Sequence, residues 1–413
     1  MPTKDKTIVL VSTFDTKGQE CLYINNLITE NGFGVTTIDV GTGVRGKLVF
    51  KPDYSREEVV KNAGSSMDEV LELGKVGKEM GIMDIMTRGA IKICQQLHQS
   101  GKLDGVISLG GTMGTNLGTT IMRALPFGIP KVMLSTIAAS NMRSFVGTSD
   151  IIMVPSVADI IGLNNITKTV LTRAAGAVMG MAAASEITAS ANPLIGTTTL
   201  GGTQVCVDRV AKKLGEKGYE FVVFHANGIG GKSMEELIEQ SIIKGVFDAS
   251  PNEVVDHLYG AWSDAGPTRL EVAGLKGIPQ LVAAGNLDHI IYDSPDKIPE
   301  RFKKHYVHRH GPSIFTLRTQ KKDMEEIGKV VAEKLNKAKG PTAVLLSLKG
   351  ISVLDLVDTN FVDHEANYAL FQTLKENLRP GIEIKEMDVH INDEAFSDEA
   401  AKMMYKLMGG NDT

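Results

Sequence analysis

Short apolar runs rich in valine and isoleucine alternate along this chain with longer polar stretches whose apolar residues recur every three or four positions. The first unit reads as a strand, KTIVLVST (6–13), a glycine-bearing loop, FDTKGQE (14–20), a helix, CLYINNLITENG (21–32), and a second strand, FGVTTIDVG (33–41). Polar, helix-periodic sequence covers 55–100, and three short apolar strands follow, DGVISLGG, PKVMLST and DIIMVPS, each bounded by Gly, Pro or Asp. Strands alternating with helices predict a parallel sheet covered on both faces. Residues 157–187 read as an Ala- and Met-rich helical segment. After SANP (190–193) the strand, glycine loop, helix, strand spacing starts again with LIGTTTL, GGTQ, VCVDRVAKKLGEKG and YEFVVFHANG. GIPQLVAAG, SIFTLRT, TAVLLSL and IEIKEMD continue the strands. The pattern predicts an α/β protein of two Rossmann-like domains, each a doubly wound parallel sheet, at 1–190 and 191–413, joined by a helical linker.

Composition narrows the function classes. A net charge of -5 argues against a nucleic-acid partner, which needs a basic face to displace counterions. The first apolar run is too short for a signal peptide or a membrane span, and no later segment is long enough. Cys21, Cys94 and Cys206 make no CxxC pair, so neither a disulfide framework nor a zinc site is indicated, and a cytoplasmic setting is expected. The small apolar positions between Ala174 and Ala184 exceed what one interdomain contact requires and predict a homo-oligomer.

The 43 glycines concentrate in loops that should lie beyond the carboxyl ends of strands, where doubly wound sheets bind ligands. In GVISLGGTMGTNLGTT, Gly110, Gly111 and Gly114 let backbone N–H groups turn toward an anion at a helix start near Thr115, while Thr112, Thr115 and Asn116 add donors. With strand order 2-1-3-4-5 this loop would face TFDTKG, whose Lys17 suits a phosphate and whose Asp15 suits Mg2+ or a ribose hydroxyl. Asp39 closes the second strand about 20 residues after the first loop, where dinucleotide folds place an acid for a ribose. The bland alternative is tight helix packing by the glycines with Lys17 in solvent.

The second domain offers FHANGIGGKSMEEL. It misses the P-loop signature because Ala226 replaces the first glycine, and Ser233 with Glu236 spells a capping box. Gly228, Gly230 and Gly231 nonetheless form a second anion-friendly loop, with Arg309 as a further anion ligand. His225 at a strand end, His310 and Arg318 are candidate catalytic residues. His305, His308 and His310 sit among Arg301, Lys303, Lys304 and Arg309, whose charge disfavours zinc, so no metal site is assigned to them. No Gly-x-Ser-x-Gly elbow appears.

TFDTKGQE, GVISLGGTMGTNLGTT, FHANGIGGKSMEEL, GPTRLEVAGLKGIPQLVAAGNLDHI, FTLRT and HINDEAF stand in the order and spacing of the tobamovirus-resistance-type (Tm-one-like) ATP-binding family, an otherwise uncharacterised family that this chain resembles from about Ile8 to Phe396. The resemblance implies two Rossmann-like domains with ATP in the first. By motif it points to Asp15, Thr16, Lys17, Gly110, Gly111, Gly114 and Thr115 for the nucleotide, and leaves His225, Gly228, Gly230, Gly231, Asp288, Arg309, His310, Arg318, His390 and Asn392 as positions of unknown role. The chain departs from the pattern at Thr112-Met113-Gly114, in place of a serine-glycine pair, and at His310-Gly311-Pro312, in place of His-Asn-Pro.

Three functions compete. The first is a nucleotide-binding protein, an ATP-dependent enzyme acting on a small anionic metabolite in an interdomain cleft. The second is a lyase or hydrolase of a small carboxylate using His225, His310 and Arg318. The third is a non-catalytic interaction module.

Overall fold

A computed structural model of the chain describes residues 6–41, 48–184 and 190–410. It divides into two units, Met1–Thr188 and Ala189–Thr413. In the first, the elements are β1 (Thr7–Ser12), α1 (Phe14–Glu30), β2 (Gly34–Asp39), α2 (Arg56–Asn62), α3 (Met67–Lys75), α4 (Glu79–Gln99), β3 (Gly105–Gly110), α5 (Thr112–Arg123), β4 (Lys131–Ser135), α6 (Arg143–Val146), β5 (Ile151–Pro155) and α7 (Asn165–Ala183). The sheet is all parallel in the order β2-β1-β3-β4-β5, so the winding reverses between β1 and β3. Every residue of β3 is buried, as a central strand covered on both faces demands.

Two readings of the first unit change. Helix α1 begins at Phe14, so FDTKGQE is helical rather than a loop, with a kink at Lys17 (φ -124°). The sequence hides this start because the helix is capped from outside: the Phe14 amide donates to Asp39 Oδ1 at 3.0 Å. Helix α7 belongs to the first unit rather than to a linker. Its Leu171, Ala174, Ala175 and Val178 are buried with Ile8, Leu10, Ile24 and Ile28 on one face of the sheet. Of the small residues that suggested an oligomer surface, Ala174, Ala175 and Ala182 are buried within the unit, whereas Gly176, Gly180 and Ala184 are exposed.

The second unit contains β6 (Leu194–Thr199), α8 (Gln204–Gly215), β7 (Glu220–His225), α9 (Gly230–Glu239), β8 (Gly245–Asp248), α10 (Asn252–Tyr259), α11 (Val272–Lys276), β9 (Gln280–Ala283), β10 (His289–Tyr292), β11 (Val307–Arg309), β12 (Phe315–Arg318), α12 (Lys321–Asn336), β13 (Thr342–Ser347), α13 (Leu354–Val357), α14 (His364–Asn377), β14 (Glu383–Met387) and α15 (Glu394–Leu407). Its parallel sheet runs β14-β13-β9-β8-β6-β7, the winding of the first unit with one strand added, and it reverses between β6 and β8. SIFTLRT does not join it. As β12 it forms a separate antiparallel sheet, β10-β12-β11, inserted between β9 and β13. The larger core of this unit packs α12 and α14 against the sheet through Ile327, Val331, Leu370 and Leu374.

Candidate functional sites

In the first unit β1 pairs with β3, with Val11 beside Ser108, so the two loops expected to hold a nucleotide leave neighbouring strands at the winding reversal. The glycines do different things there. A Cβ on Gly110 would lie 2.8 Å from Gly114 Cα, so this pair exists for close packing. A Cβ on Gly111 would meet nothing nearer than Thr136 Oγ1 at 3.7 Å. None of the three adopts positive φ. Gly111 caps α5 without a side-chain bond, leaving the first-turn amides to the crevice. Thr112 is exposed and Asn116 half-buried, whereas the Thr115 hydroxyl is buried on Ser135 Oγ at 2.6 Å.

The opposing side is more committed than its sequence suggests. Lys17 Nζ donates to the Ile160 carbonyl and Glu20 Oε1 accepts from the Gly162 amide, so 160–162 is strapped onto α1. Asp39 is buried and its Oδ1 accepts from the amides of Phe14 and Gly41 (3.0 and 2.8 Å); burial raises its carboxyl, against the lowering by those two bonds. A small hollow of about 210 Å³ remains, lined by Asp15, Thr16, Gly18, Glu20, Ile161 and Gly162 among others.

In the second unit the glycine loop after β7 already holds an anion, the protein's own Glu253. Glu253 Oε1 accepts from the Gly228 and Gly231 amides at 2.8 and 3.0 Å, and Oε2 accepts from Arg269 Nε at 2.7 Å. A Cβ on Gly231 would fall 1.7 Å from Glu253 Oε2, and one on Gly230 would fall 2.1 Å from the His225 carbonyl. The expected second anion site is therefore filled from within. Helix α9 also starts at Gly230, one turn before the proposed capping box, with Asn227 Oδ1 accepting from the Ile229 amide at 3.2 Å.

The two candidate arginines, Arg318 and Arg309, stand in different settings. Arg318 is buried and donates to the carbonyls of Phe361, Asp288, Thr319 and Asp363, to Thr319 Oγ1 and to Asn367 Oδ1, which occupies its whole guanidinium fork. Arg309 is exposed, its guanidinium 5.4 Å from the Phe315 ring centre.

The histidines lead elsewhere. Beyond the carboxyl ends of β6, β7 and β9 lies a cavity of about 230 Å³, roofed by the small antiparallel sheet. His225, His308 and His310 line it, as do Gly201 and Gly202, Trp262, Ser263, Asn286 and His289. His305 points away, bonded to Asp323 Oδ2 at 2.7 Å. His308 Nδ1 is held by Asp358 Oδ2 at 2.8 Å.

His289 is the most constrained of the set. It is 5% exposed, and its Nδ1 lies 2.7 Å from Oδ1 of Asp288, which is fully buried. Asp288 Oδ2 accepts from Ser352 Oγ at 2.6 Å. Burial alone would raise the Asp288 carboxyl; the charge and hydrogen bond of His289, with Arg318 and Ser352, outweigh it and hold the group below its usual range. His390, of unknown role in sequence, accepts from the Asn392 amide at Nδ1, so its Nε2 donates to the Ser352 carbonyl at 2.9 Å. Asn392 fastens the Gly202 carbonyl and the Cys206 amide.

The floor is equally built. Asn286 is 1% exposed at φ 57°, a left-handed conformation, and its Nδ2 donates to Ser250 Oγ at 2.8 Å. Asn252 Nδ2 clamps the carbonyls of Asn286 and His289, both at 2.8 Å. Gly202 must be glycine, since a Cβ there would lie 2.2 Å from Asn286 Oδ1. Asn286 Oδ1 is buried without a hydrogen-bond partner, while the Ser263 side chain bonds the buried Asp256. Sequence reading names Asp288 but misses His289, Asn286 and Ser263; the available signal is the Asn-Leu-Asp-His run directly after β9, at a strand's carboxyl end.

These features define a doubly wound α/β protein whose second unit carries, beyond the carboxyl ends of its strands, a cavity lined by a carboxylate-oriented histidine. The chain belongs to the UPF0261 family. Its residues 6–187 match the N-terminal domain and 192–408 the C-terminal domain of "Uncharacterised protein family (UPF0261)". It is 40% identical over 408 residues to a UPF0261 protein of Clostridium tetani, covering 98% of this chain and 99% of that one. It is 33% identical over 411 residues to the ToMV resistance protein Tm-1(GCR237) of Solanum lycopersicum, covering 94% of this chain but 54% of the tomato protein. Among solved structures it is similar to the UDP-GlcNAc 2-epimerase from Methanocaldococcus jannaschii, at 10% identity and a TM-score of 0.22 over 98% of this chain and 100% of that one, a likeness too weak to transfer any chemistry. Among the described residues no helix is long and apolar enough to cross a membrane.

Proposed function

We propose that the second unit is an acid–base active site for a small organic molecule, with His289 as the proton-transfer group and Asp288 as its positioning residue. The observation that carries this reading is the buried Asp288–His289 pair at the wall of the cavity. A carboxylate on Nδ1 fixes the imidazole tautomer and leaves the other ring nitrogen to exchange a proton with whatever occupies the cavity. His225, His308 and His310 would hold or polarise the ligand nearer the mouth. Arg318 serves this site by rigidity: it binds the Asp288 carbonyl and adds to the field on its carboxylate. The test is consumption of a metabolite from a cell extract by the full chain, followed by mass spectrometry. His289→Gln is expected to slow it by about 10²–10⁴-fold, the usual share of a general acid–base group. Asp288→Asn should shift the pH profile of the same reaction. Equal consumption by wild type and His289→Gln would end the proposal.

A second reading concerns the first unit, where the uncapped start of α5 at a winding reversal supports nucleotide binding, ATP above all, with Mg2+ on Asp15. The family resemblance supports the same reading. Calorimetry of the full chain with ATP and Mg2+ tests it, and an absence of heat for both wild type and Gly111→Ala would reject it.

A further inference from the structure

The lining of the second-unit cavity says what kind of molecule it takes. Among the residues that line it there is no Lys, Arg, Asp or Glu. The strong charges nearby are directed elsewhere: Arg318 spends its fork on internal acceptors, Asp288 faces His289 and Ser352, and Asp256 accepts from the Ser263 and Ile291 amides at 2.9 and 3.0 Å. Two of the histidines already face a carboxylate, Asp288 for His289 and Asp358 for His308, so even when protonated they present little net charge. A phosphate or carboxylate entering this space would lose its hydration without gaining a counter-charge, which is strongly unfavourable.

What the cavity does offer is neutral and polar. Asn286 Oδ1 is buried and has no hydrogen-bond partner, the Ser263 hydroxyl bonds the buried Asp256 and keeps acceptor capacity, and both residues line the space. An orphaned group such as the Asn286 oxygen is rare in native interiors and asks for a ligand's hydroxyl or amide. The backbone strain of Asn286 at φ 57° and the obligatory glycine at 202 are the local means by which that amide is set in place. Trp262, Ile291, Ile314 and Leu354 also line the space and supply apolar surface suited to C–H faces. At about 230 Å³ the cavity falls below the range of about 300–1,000 Å³ usual for drug-sized ligands, so it suits a single small ring or short chain rather than a nucleotide.

We infer that the second unit binds an uncharged, polyhydroxylated carbon skeleton, a monosaccharide or cyclic polyol, through the polar groups of Ser263 and Asn286 and the apolar surface of Trp262. This rests on the proposal that the cavity is the working site, but not on the role of His289. The experiment is a binding panel on the full chain by saturation-transfer NMR and calorimetry. Glucose, ribose and myo-inositol form one arm; gluconate, glycerate and inorganic phosphate form the other. At least one neutral compound should bind saturably, with Kd raised tenfold or more by Ser263→Ala and by Trp262→Ala but unchanged in a surface variant of the first unit such as Lys168→Ala. Binding only by the anions, no binding by the neutral arm, or neutral binding indifferent to Ser263→Ala and Trp262→Ala would each overturn the ligand class. His289→Gln separates the two claims: if it binds the neutral ligand as wild type does and metabolite consumption persists, the acid–base role fails while the ligand class stands.

Discussion

Replacing Glu253 by Gln tests whether the anion at the start of α9 is the protein's own. Both carboxylate oxygens are saturated by donors, Oε1 by the Gly228 and Gly231 amides and Oε2 by Arg269 Nε. An amide cannot satisfy both sides. In one orientation its NH2 meets two backbone N–H groups, and in the other it meets the guanidinium. Arg269 would keep Asp248, at 2.5 and 3.0 Å, but lose the partner that sets its tilt. Opening a buried pair from one side costs about 3–5 kcal/mol. At about 2–4 °C per kcal/mol for a domain of 150–250 residues, Tm should fall by about 6–20 °C. Urea unfolding followed by circular dichroism and differential scanning calorimetry would measure it, with and without 50 mM sulfate or phosphate. A variant within about 1 kcal/mol of wild type would refute the internal-anion account. Full rescue by added phosphate would instead restore a ligand role to Gly228 and Gly231.

Other outcomes follow from the same geometry. Gly110→Ala should destabilise the first unit by about 1–3 kcal/mol through overpacking against Gly114, while Gly111→Ala should unfold at the wild-type urea midpoint, leaving it as the clean probe of nucleotide binding. Asp323 is held below its ordinary range of 3.8 because the His305 bond and the Gln320 amide outweigh burial, so it stabilises the fold above that value and ceases to as pH falls through its folded titration; the stability gap between wild type and Asp323→Asn should be widest near neutrality and close below pH 3.8, as urea titrations at several pH values would show. Val157 is β-branched, 83% exposed and at φ 65°, so Val157→Asn should raise stability by about 1 kcal/mol, read from the same urea midpoints.

Much of the architecture was legible in the chain because parallel strands buried on both faces leave a continuous apolar signature, as IVLV in β1 and GVISL in β3 do. Short strands with mixed composition left none. GVFD, which becomes β8, and VHR, which becomes β11, take their conformation from neighbours rather than from local pattern. The sites show the same division. Glycine loops are visible in sequence, but what a glycine is for depends on partners distant in the chain: Gly231 makes room for Glu253 and Gly202 for Asn286. Arg318 looked like a ligand hand because an arginine at a strand end is one in many proteins. Here six internal acceptors from four separate segments, 288, 319, 361–363 and 367, converge on it, and no local motif announces that convergence.

The two units share one winding, yet their reversals are furnished oppositely, and the difference traces to which loop carries the acid. In the first unit the acid follows the second strand: Asp39 reaches back to cap α1, which leaves the start of α5 without a side-chain cap. In the second unit the acid stands just after the third strand, where Glu253 at the head of α10 crosses to the loop after β7 and saturates it. A helix start that is already paired with a carboxylate has little left for an anion, whereas an unpaired one keeps its field. On the proposed reading, the start of α5 is the helix end left with its field for a phosphate. In the second unit the helix start after β7 is neutralised and the arginine is withdrawn into the fold, which is why the proposed chemistry there rests on imidazole and on a ligand that brings no charge of its own.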